Sequence, residues 1–406
     1  MSNIFKVTDL VAKESLRVAH EKLAMIGTVD RQYDEDFKPR ANGQVHGSTM
    51  RVKDPNQYTR RTGNAMVVQA QNESTQTLTV ATLDGVDMSF TAQELIQSVD
   101  NDGAFDDLSK NYIQPAVSVL VSNIEADAIA FWTKATYNLA GTAGTALTDL
   151  VVPGAARAKL NQNAAPKDGN RNIQCESVAM GSLVNGLKLQ VHPGPDISKQ
   201  YREGMMFRTA MADWYENDRM WTMQNTADVA GEINAGTLTS GITTLTVDGF
   251  TAAPGEGMVF TIEGTYAVHP ETKAALSHLQ QFVCDSACTT TLLSFTPAVI
   301  YDTTNPKQNC SGAPTDNDDI TFVGSASTNY VQQLMYHRDA FQFITAPLPI
   351  MDDAQKCVRV MKDNLSLRVW MASDIRNNEL LMRLDILYGL AALRPAWASR
   401  MIGAAN

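Results

Sequence analysis

The sequence predicts an α+β fold built from several units, with an all-β unit inserted into it. Three features point there. Apolar residues recur every three or four positions from Ala104 to Leu139, and apolar alternation marks strands between 78 and 90. A stretch rich in Thr, Gly, Ser and Asp, from 225 to about 328, then interrupts mixed patterning that resumes at Tyr330. At 406 residues the chain exceeds one ordinary hydrophobic core, and 44% apolar with 19% charged usage is that of a chain that folds.

In order along the chain, Leu10, Leu16, Ala19, Leu23 and Ile26 lie near helical spacing, which predicts an amphipathic N-terminal helix ending around Gly27. Asp30 to Asn64 is polar, is broken by Pro39, Gly43, Gly47, Pro55 and Gly63, and carries Arg40, Arg51, Lys53, Arg60 and Arg61; it reads as an extended arm. Leu78 and Val80, then Val86, Met88 and Phe90, alternate as half-buried strands and suggest a long β-hairpin. Thr91 with Glu94, before Leu95 and Ile96, is a capping-box pattern that starts a helix, interrupted at Asp100 to Gly103.

The long helix over 104–139 rests on Phe105, Leu108, Tyr112, Ala116, Leu120, Ile124, Ala128 and Phe131, with Pro115 inside it as a candidate kink. Its length at about 1.5 Å per residue is that of an extended subunit rather than a compact enzyme. Short runs at Ile242 to Val247, Met258 to Ile262 and Thr290 to Phe295 supply strands for the β unit.

The net charge of −11 lacks the basic footprint of a protein that grips phosphates, so any contact with DNA is expected to be weak and non-specific. Met1 to Asp9 has no basic segment followed by an apolar run, and no stretch of about 18 apolar residues is read, so neither secretion nor membrane insertion is expected. Five cysteines, Cys175, Cys284, Cys288, Cys310 and Cys357, form no disulfide framework and suit a reducing cytoplasm.

Candidate chemistry is sparse. Cys284 and Cys288 with His269 and His278 match no standard zinc spacing and read as ordinary thiols, with pairing of Cys284, Cys288 or Cys310 after lysis as an alternative. Asp316-Asn317-Asp318-Asp319 lacks the glycine and distal glutamate of a calcium loop and reads as a polar turn. Asp106/Asp107 and Asp352/Asp353 are adjacent pairs that do not converge on one substrate, and His337, with no nucleophile or phosphate motif beside it, reads as a packed histidine. No enzyme activity, metal or cofactor is expected.

Several phrases carry a resemblance. They are Ala165-Pro166-Lys167-Asp168-Gly169 with Arg171 and Ile173, and Ala212-Asp213-Trp214-Tyr215-Glu216-Asn217, the latter departing from a usual Gly-Phe. Downstream come Leu334-Met335-Tyr336-His337-Arg338-Asp339-Ala340-Phe341, Leu365-Ser366-Leu367-Arg368-Val369, and Leu384-Asp385-Ile386-Leu387-Tyr388-Gly389 followed by Arg394-Pro395. In this order they are similar to tailed-bacteriophage major capsid proteins, closest to the Salmonella podophage coat subgroup with an inserted β-barrel.

The resemblance implies a Hong Kong 97-like capsid fold. It places an N-terminal arm at 1–37, an extended loop with peripheral-domain strands at 38–90, and a peripheral domain with the spine helix at 91–144. An axial domain follows at 145–224, then an inserted β domain at 225–335, and the second axial part with the C-terminus at 336–406. It also implies pentamers and hexamers that assemble with a scaffolding protein and a portal protein into an icosahedral procapsid. That shell matures around phage double-stranded DNA and is built in the host cytoplasm for the virion; a decoration protein is left open. Some relatives crosslink a loop lysine to a neighbour, and Lys53 is the lysine between Pro39 and Phe90.

Candidate subunit contacts are Leu16 and Leu23 on the N-terminal helix, expected to bury little within their own domain and to serve assembly. Arg60 and Arg61 of the loop are expected to face Asp102, Asp106 and Asp107 at the start of a neighbour's long helix. The rival readings are a cellular nanocompartment shell and, in a different class, a soluble hydrolase with an appended β-sandwich.

Overall fold

The structure is a computed structural model. It describes residues 13–17, 19, 23–31, 48–53, 58, 62–64, 73–91, 93, 112–187, 208–209, 211–226, 228–236, 238–351, 356–362 and 365–405. Described strands in chain order are β1 (Ser48–Lys53), β2 (Glu73–Leu78), β3 (Thr82–Thr91), β4 (Leu139–Ala140), β5 (Arg171–Cys175), β6 (Asp213–Glu216) and β7 (Thr222–Gln224). There follow β8 (Ala230–Ile233), β9 (Ile242–Asp248), β10 (Val259–Val268), β11 (Ala275–Cys284), β12 (Leu292–Val299) and β13 (Asp319–Phe322). The last are β14 (Asn329–His337), β15 (Phe341–Ala346), β16 (Lys356–Lys362), β17 (Leu365–Asp374), β18 (Glu379–Ala392) and β19 (Ala398–Ala405). The helices are α1 (Gln114–Ala135), α2 (Val151–Gln162) and α3 (Ser177–Leu187).

The chain forms two compact units, one of Met1–Met50, Gln76–Ala128 and Gln342–Ala391, the other of Arg51–Thr75, Ile129–Phe341 and Ala392–Asn406. This corrects the expected boundary at 336, because residues 342–391 belong with the N-terminal third. The physical reason is strand pairing. β18 runs antiparallel to β3 from Glu379↔Thr91 to Tyr388↔Thr82, which places Leu380, Met382 and Leu384 opposite Phe90, Met88 and Val86. The expected hairpin between Leu78/Val80 and 86–90 does not form, since β2 pairs with β1. No turn-forming residue separates β2 from β3, so alternating apolar side chains choose the partner that completes a buried face.

In the first unit β15, β18, β17 and β16 lie side by side, with β3 added to β18. Val369, Leu384, Met382, Leu367 and Tyr388 are buried on one face, while the other is exposed at Leu381, Arg383 and Asp87 and closed at Asp385 and Arg368.

α1 is described from Gln114 to Ala135 and ends before the expected 139, where Leu139 opens β4; residues 101–111, which hold the expected start at 104, lie outside the described residues. Pro115 is the second residue of the described helix. The buried face is Val117, Leu120, Val121, Ile124, Ala128 and Trp132, whereas Tyr112 and Phe131 are 45% and 44% exposed. By length and composition α1 could cross a membrane, against the sequence expectation, but half of its apolar window is buried inside the protein. That burial, with Glu125 fully enclosed, is the pattern of a core helix.

The second unit contains a mixed sheet in the order β4-β19-β14-β5-β6, with β7 also on β14, and a closed barrel in the order β10-β11-β12-β9-β8-β13. The barrel strands lie between Ala230 and Phe322, and the strands flanking them, β7 and β14, pair with each other at Gln224↔Asn329. The all-β segment therefore ends before the expected residue 335, because β14 belongs to the mixed sheet. Leu245 and Val247 alternate inward on β9, and Phe260, Phe282 and Phe295 meet with ring centroids 5.2–5.6 Å apart. Such an aromatic core gives a small barrel most of its apolar burial.

Candidate assembly site

Of the residues expected to make subunit contacts, Arg60, Arg61, Asp102, Asp106 and Asp107 lie outside the described residues. So do Asp352, Asp353 and Glu94. Leu16 sits on a helical stretch and is 2% exposed; Leu23, beyond it, is partly buried.

The expectation that this segment buries little is overturned. The amides of Ala24 and Met25 donate to Glu125 Oε1 at 3.0 and 2.7 Å, and Gln114 Nε2 donates to Glu14 Oε1 at 2.9 Å. Met25 and Ile26 are fully buried. Further on, Phe343 N–H donates to the Asp30 carbonyl at 3.4 Å, and Gln342 Nε2 donates to Asp30 Oδ2 at 3.2 Å. A carboxylate enclosed on an apolar helix face is tolerated because two backbone amides satisfy it, and those amides belong to this segment. Sequence reasoning passed over Glu125, one of two acids, with Asp127, within the largely apolar run of α1.

On the partly exposed face of the first unit's sheet, Asp385 is fully buried yet held by two guanidinium groups. Arg368 donates to Oδ2 through Nε at 3.2 Å and Nη2 at 2.6 Å, and Arg383 Nε donates to Oδ1. Arg383 also lies 3.7 Å from Asp87 on β3, and both carboxylates help hold its charge. Gly85 leaves room for this network, since a Cβ there would stand 2.8 Å from Asp385 Oδ1 and 2.6 Å from the Leu384 carbonyl. Beside it Asp87, Ser89, Trp370, Leu381 and Arg383 line a groove of about 420 Å³.

In the second unit the barrel is fastened to the mixed sheet. Tyr137, Leu139, Met223, Val259, Val283, Tyr330 and Ile402 form one apolar cluster drawn from both parts. Arg400 of β19 is wholly buried and donates to the carbonyls of Gly257 at 2.7 Å and Lys134 at 3.0 Å, with its guanidinium 5.6 Å from the Trp221 ring. Lys134 pairs with Glu256 at 2.7 Å. Lys159 Nζ donates to the Leu139 carbonyl at 2.7 Å and to Gln281 Oε1, and burial lowers its pKa to about 8. Neither Arg400 nor Lys159 was read as functional; a lone arginine inside Ala-Ser-Arg-Met-Ile-Gly is the signal for the first, and nothing in the sequence marks the second.

The remaining sequence candidates have structural roles here. His337 is buried, with Nε2 3.0 Å from Asp168 Oδ1 and its ring edge-on to Trp397. Burial works to raise the Asp168 pKa, but hydrogen bonds from Asn170 and His337 outweigh it and hold the carboxyl at about 2. Asp318 accepts from Thr315 N–H and Oγ1 at 2.7 and 2.8 Å, which makes 315–318 a polar turn that leads into β13 at Asp319. His269 Nδ1 accepts from Glu271 N–H, and no group of His, Cys, Asp and Glu suited to a metal occurs among the described residues.

Residues 222–403 match the model of the family described as P22 coat protein, gene protein 5. No curated protein matches by sequence. Among solved structures, a chain of Mycobacterium phage Che8 is similar at 11% identity, covering 93% of this chain and 90% of that one, with a TM-score of 0.51. A chain of the capsid of Ralstonia phage GP4 shows 8% identity, coverage of 93% and 87%, and a TM-score of 0.45. The mature capsid of bacteriophage PhiM1 gives 10% identity, coverage of 92% and 87%, and 0.44. The fold likeness rests on the first of these. That likeness, at 11% identity, is one of fold, and the coat-protein match covers residues 222–403.

Proposed function

We propose, from the coat-protein likeness of residues 222–403, that the chain is a major capsid protein that self-assembles with a scaffolding protein into an icosahedral procapsid. In this reading pentamers and hexamers enclose phage double-stranded DNA, a portal protein occupies one vertex, and the chain resembles the Salmonella podophage coat proteins with an inserted β-barrel. The observation that carries the reading is the match itself, which spans both the barrel and strands β14 to β19 of the surrounding units.

The physical arrangement suits the role. A barrel set between two paired strands and fastened by a buried arginine is a unit that can project without loosening the sheet beneath it. The net charge of −11 keeps attraction to packaged DNA weak. Arg60 and Arg61 are proposed to pair with Asp102, Asp106 and Asp107 of a neighbour, each exposed pair contributing about 0.2–1 kcal/mol and repeated at every boundary.

The test is expression of the chain alone and with the scaffolding gene product from the same genome, followed by sedimentation and electron microscopy. Closed particles of uniform size are the expected result with the scaffold. Small oligomers under both conditions would overturn the proposal.

A further inference from the structure

The turn between β11 and β12 brings two thiols together. β11 ends at Cys284, which pairs with Phe295 and lies 2% exposed in the barrel's apolar core. Beyond it the chain folds back tightly. Asp285 N–H donates to the Ser294 carbonyl at 3.0 Å, Ala287 N–H donates to Asp285 Oδ1 at 2.8 Å, and Ser294 Oγ donates to Asp285 Oδ2 at 2.6 Å. This returns Cys288 to the same core, where its thiol donates to the Ser294 carbonyl at 3.2 Å and its side chain packs against the cluster that contains Cys284. Both cysteines are free, Cys288 partly exposed and Cys284 behind it.

We propose that Cys284 and Cys288 are a redox-modification site, converted by a low-molecular-mass disulfide such as oxidised glutathione into an intramolecular disulfide across the turn. The geometry sets the order of steps. The Cys288 thiolate attacks one sulfur of the oxidant, the oxidant's S–S bond breaks, and one glutathione leaves as thiolate and takes up a proton. Cys284 then loses its proton to solvent and attacks Cys288 Sγ, forming the Cys284–Cys288 bond and expelling the second glutathione. Two protein thiols are oxidised and one glutathione disulfide is reduced to two thiols, so atoms and electrons balance.

The acidities of the two groups agree with this order. A hydrogen bond from Cys284 lowers the Cys288 pKa despite partial burial, and burial raises that of Cys284 well above an ordinary thiol. An accessible thiolate beside a hidden resolving thiol is the arrangement that favours a disulfide over a lasting mixed adduct. Cys310 lies in the same core, but it is set outside the turn, and its neighbour across the bridge is Ala267.

The experiment treats the native full-length chain with oxidised glutathione, quenches by alkylation in denaturant and maps the peptides by mass. The expected result is a Cys284–Cys288 linked peptide, with Cys175 and Cys310 still alkylated. Cys284→Ser should stall as a Cys288–glutathione mixed disulfide, and Cys288→Ser should leave Cys284 alkylatable. If Cys284→Ser does not fold, the wild-type time course serves, in which the mixed disulfide appears first and is replaced by the internal bond. Full alkylation of both cysteines in the treated wild type, or a Cys288 adduct that persists unresolved, would overturn the proposal.

Discussion

Arg400 donates a 2.7 Å hydrogen bond to the carbonyl of Gly257, joining the last strand of the mixed sheet to the turn that leads into β10 of the barrel. Gly257 has φ +86°, and a Cβ there would stand 2.6 Å from Trp221 Cη2, so the approach depends on glycine. Removing the guanidinium leaves the Gly257 and Lys134 carbonyls without it in a dry seam. Arg400→Met should therefore destabilise the chain by about 2–4 kcal/mol, measured by urea unfolding, and Gly257→Ala by about 2–3 kcal/mol through strain and the clash with Trp221. A loss below about 0.5 kcal/mol in both would mean that the seam does not fasten the barrel.

What the sequence made legible was local. The runs at 242–247, 258–262 and 290–295 fall on β9, β10 and β12, because alternation and turn chemistry act over a few residues. The long helix was legible as a helix and its buried face in part. Periodicity found Leu120, Ile124 and Ala128, which are buried, but also pointed to Tyr112 and Phe131, which are exposed, and passed over Val117, Val121 and Trp132. The pairing of β3 with β18 was beyond reach: Tyr388 Oη donates to Asp84 Oδ2 across 304 positions, and no local signal selects such a partner. The seam was hidden for the same reason, since Arg400 finds its acceptors on Gly257 and Lys134 only after folding.

The N-terminal segment should behave as part of the first unit's core. Leu16→Ala should cost about 2–4 kcal/mol of stability, as for a buried leucine whose site cannot fully collapse. Glu125→Gln should cost about 1–2 kcal/mol by weakening the charge-assisted bonds to the amides of Ala24 and Met25. Thermal melts of dissociated subunits check both. Unchanged melting with impaired shell formation would instead restore a role confined to assembly.

Lys159 should make stability depend on pH above neutrality. Its folded-state pKa of about 8 lies below the ordinary lysine value of 10.5, so between those values the unfolded chain holds more protons than the folded one. The cost of enclosing the ammonium is therefore full below pH 8 and fades as pH rises toward 10.5. Relative to Lys159→Met, the wild type should gain about 1–3 kcal/mol between pH 7 and 10 in denaturant titrations, by linkage discounted for residual solvent access. A difference that stays flat across this range would show that the ammonium is not desolvated.

Asp385 and Arg368 should be coupled more strongly than any exposed pair in the chain. Asp385 is fully buried, Arg368 is nearly so, and the fork of 3.2 and 2.6 Å contacts fixes their geometry. Asp385→Asn leaves the Arg368 charge enclosed without its counter-charge, which for a buried pair costs about 3–5 kcal/mol. Arg368→Met should cost less, because Arg383 still donates to Asp385 and carries its charge at the more exposed rim. The double variant Arg368→Met with Asp385→Asn removes both charges and no longer strands either one. Its destabilisation should fall short of the sum of the single changes by about 1–3 kcal/mol, the range of direct contacts in double-mutant cycles. Chemical denaturation of the four proteins supplies the cycle, and strict additivity would mean that Arg383 rather than Arg368 is the partner that holds Asp385.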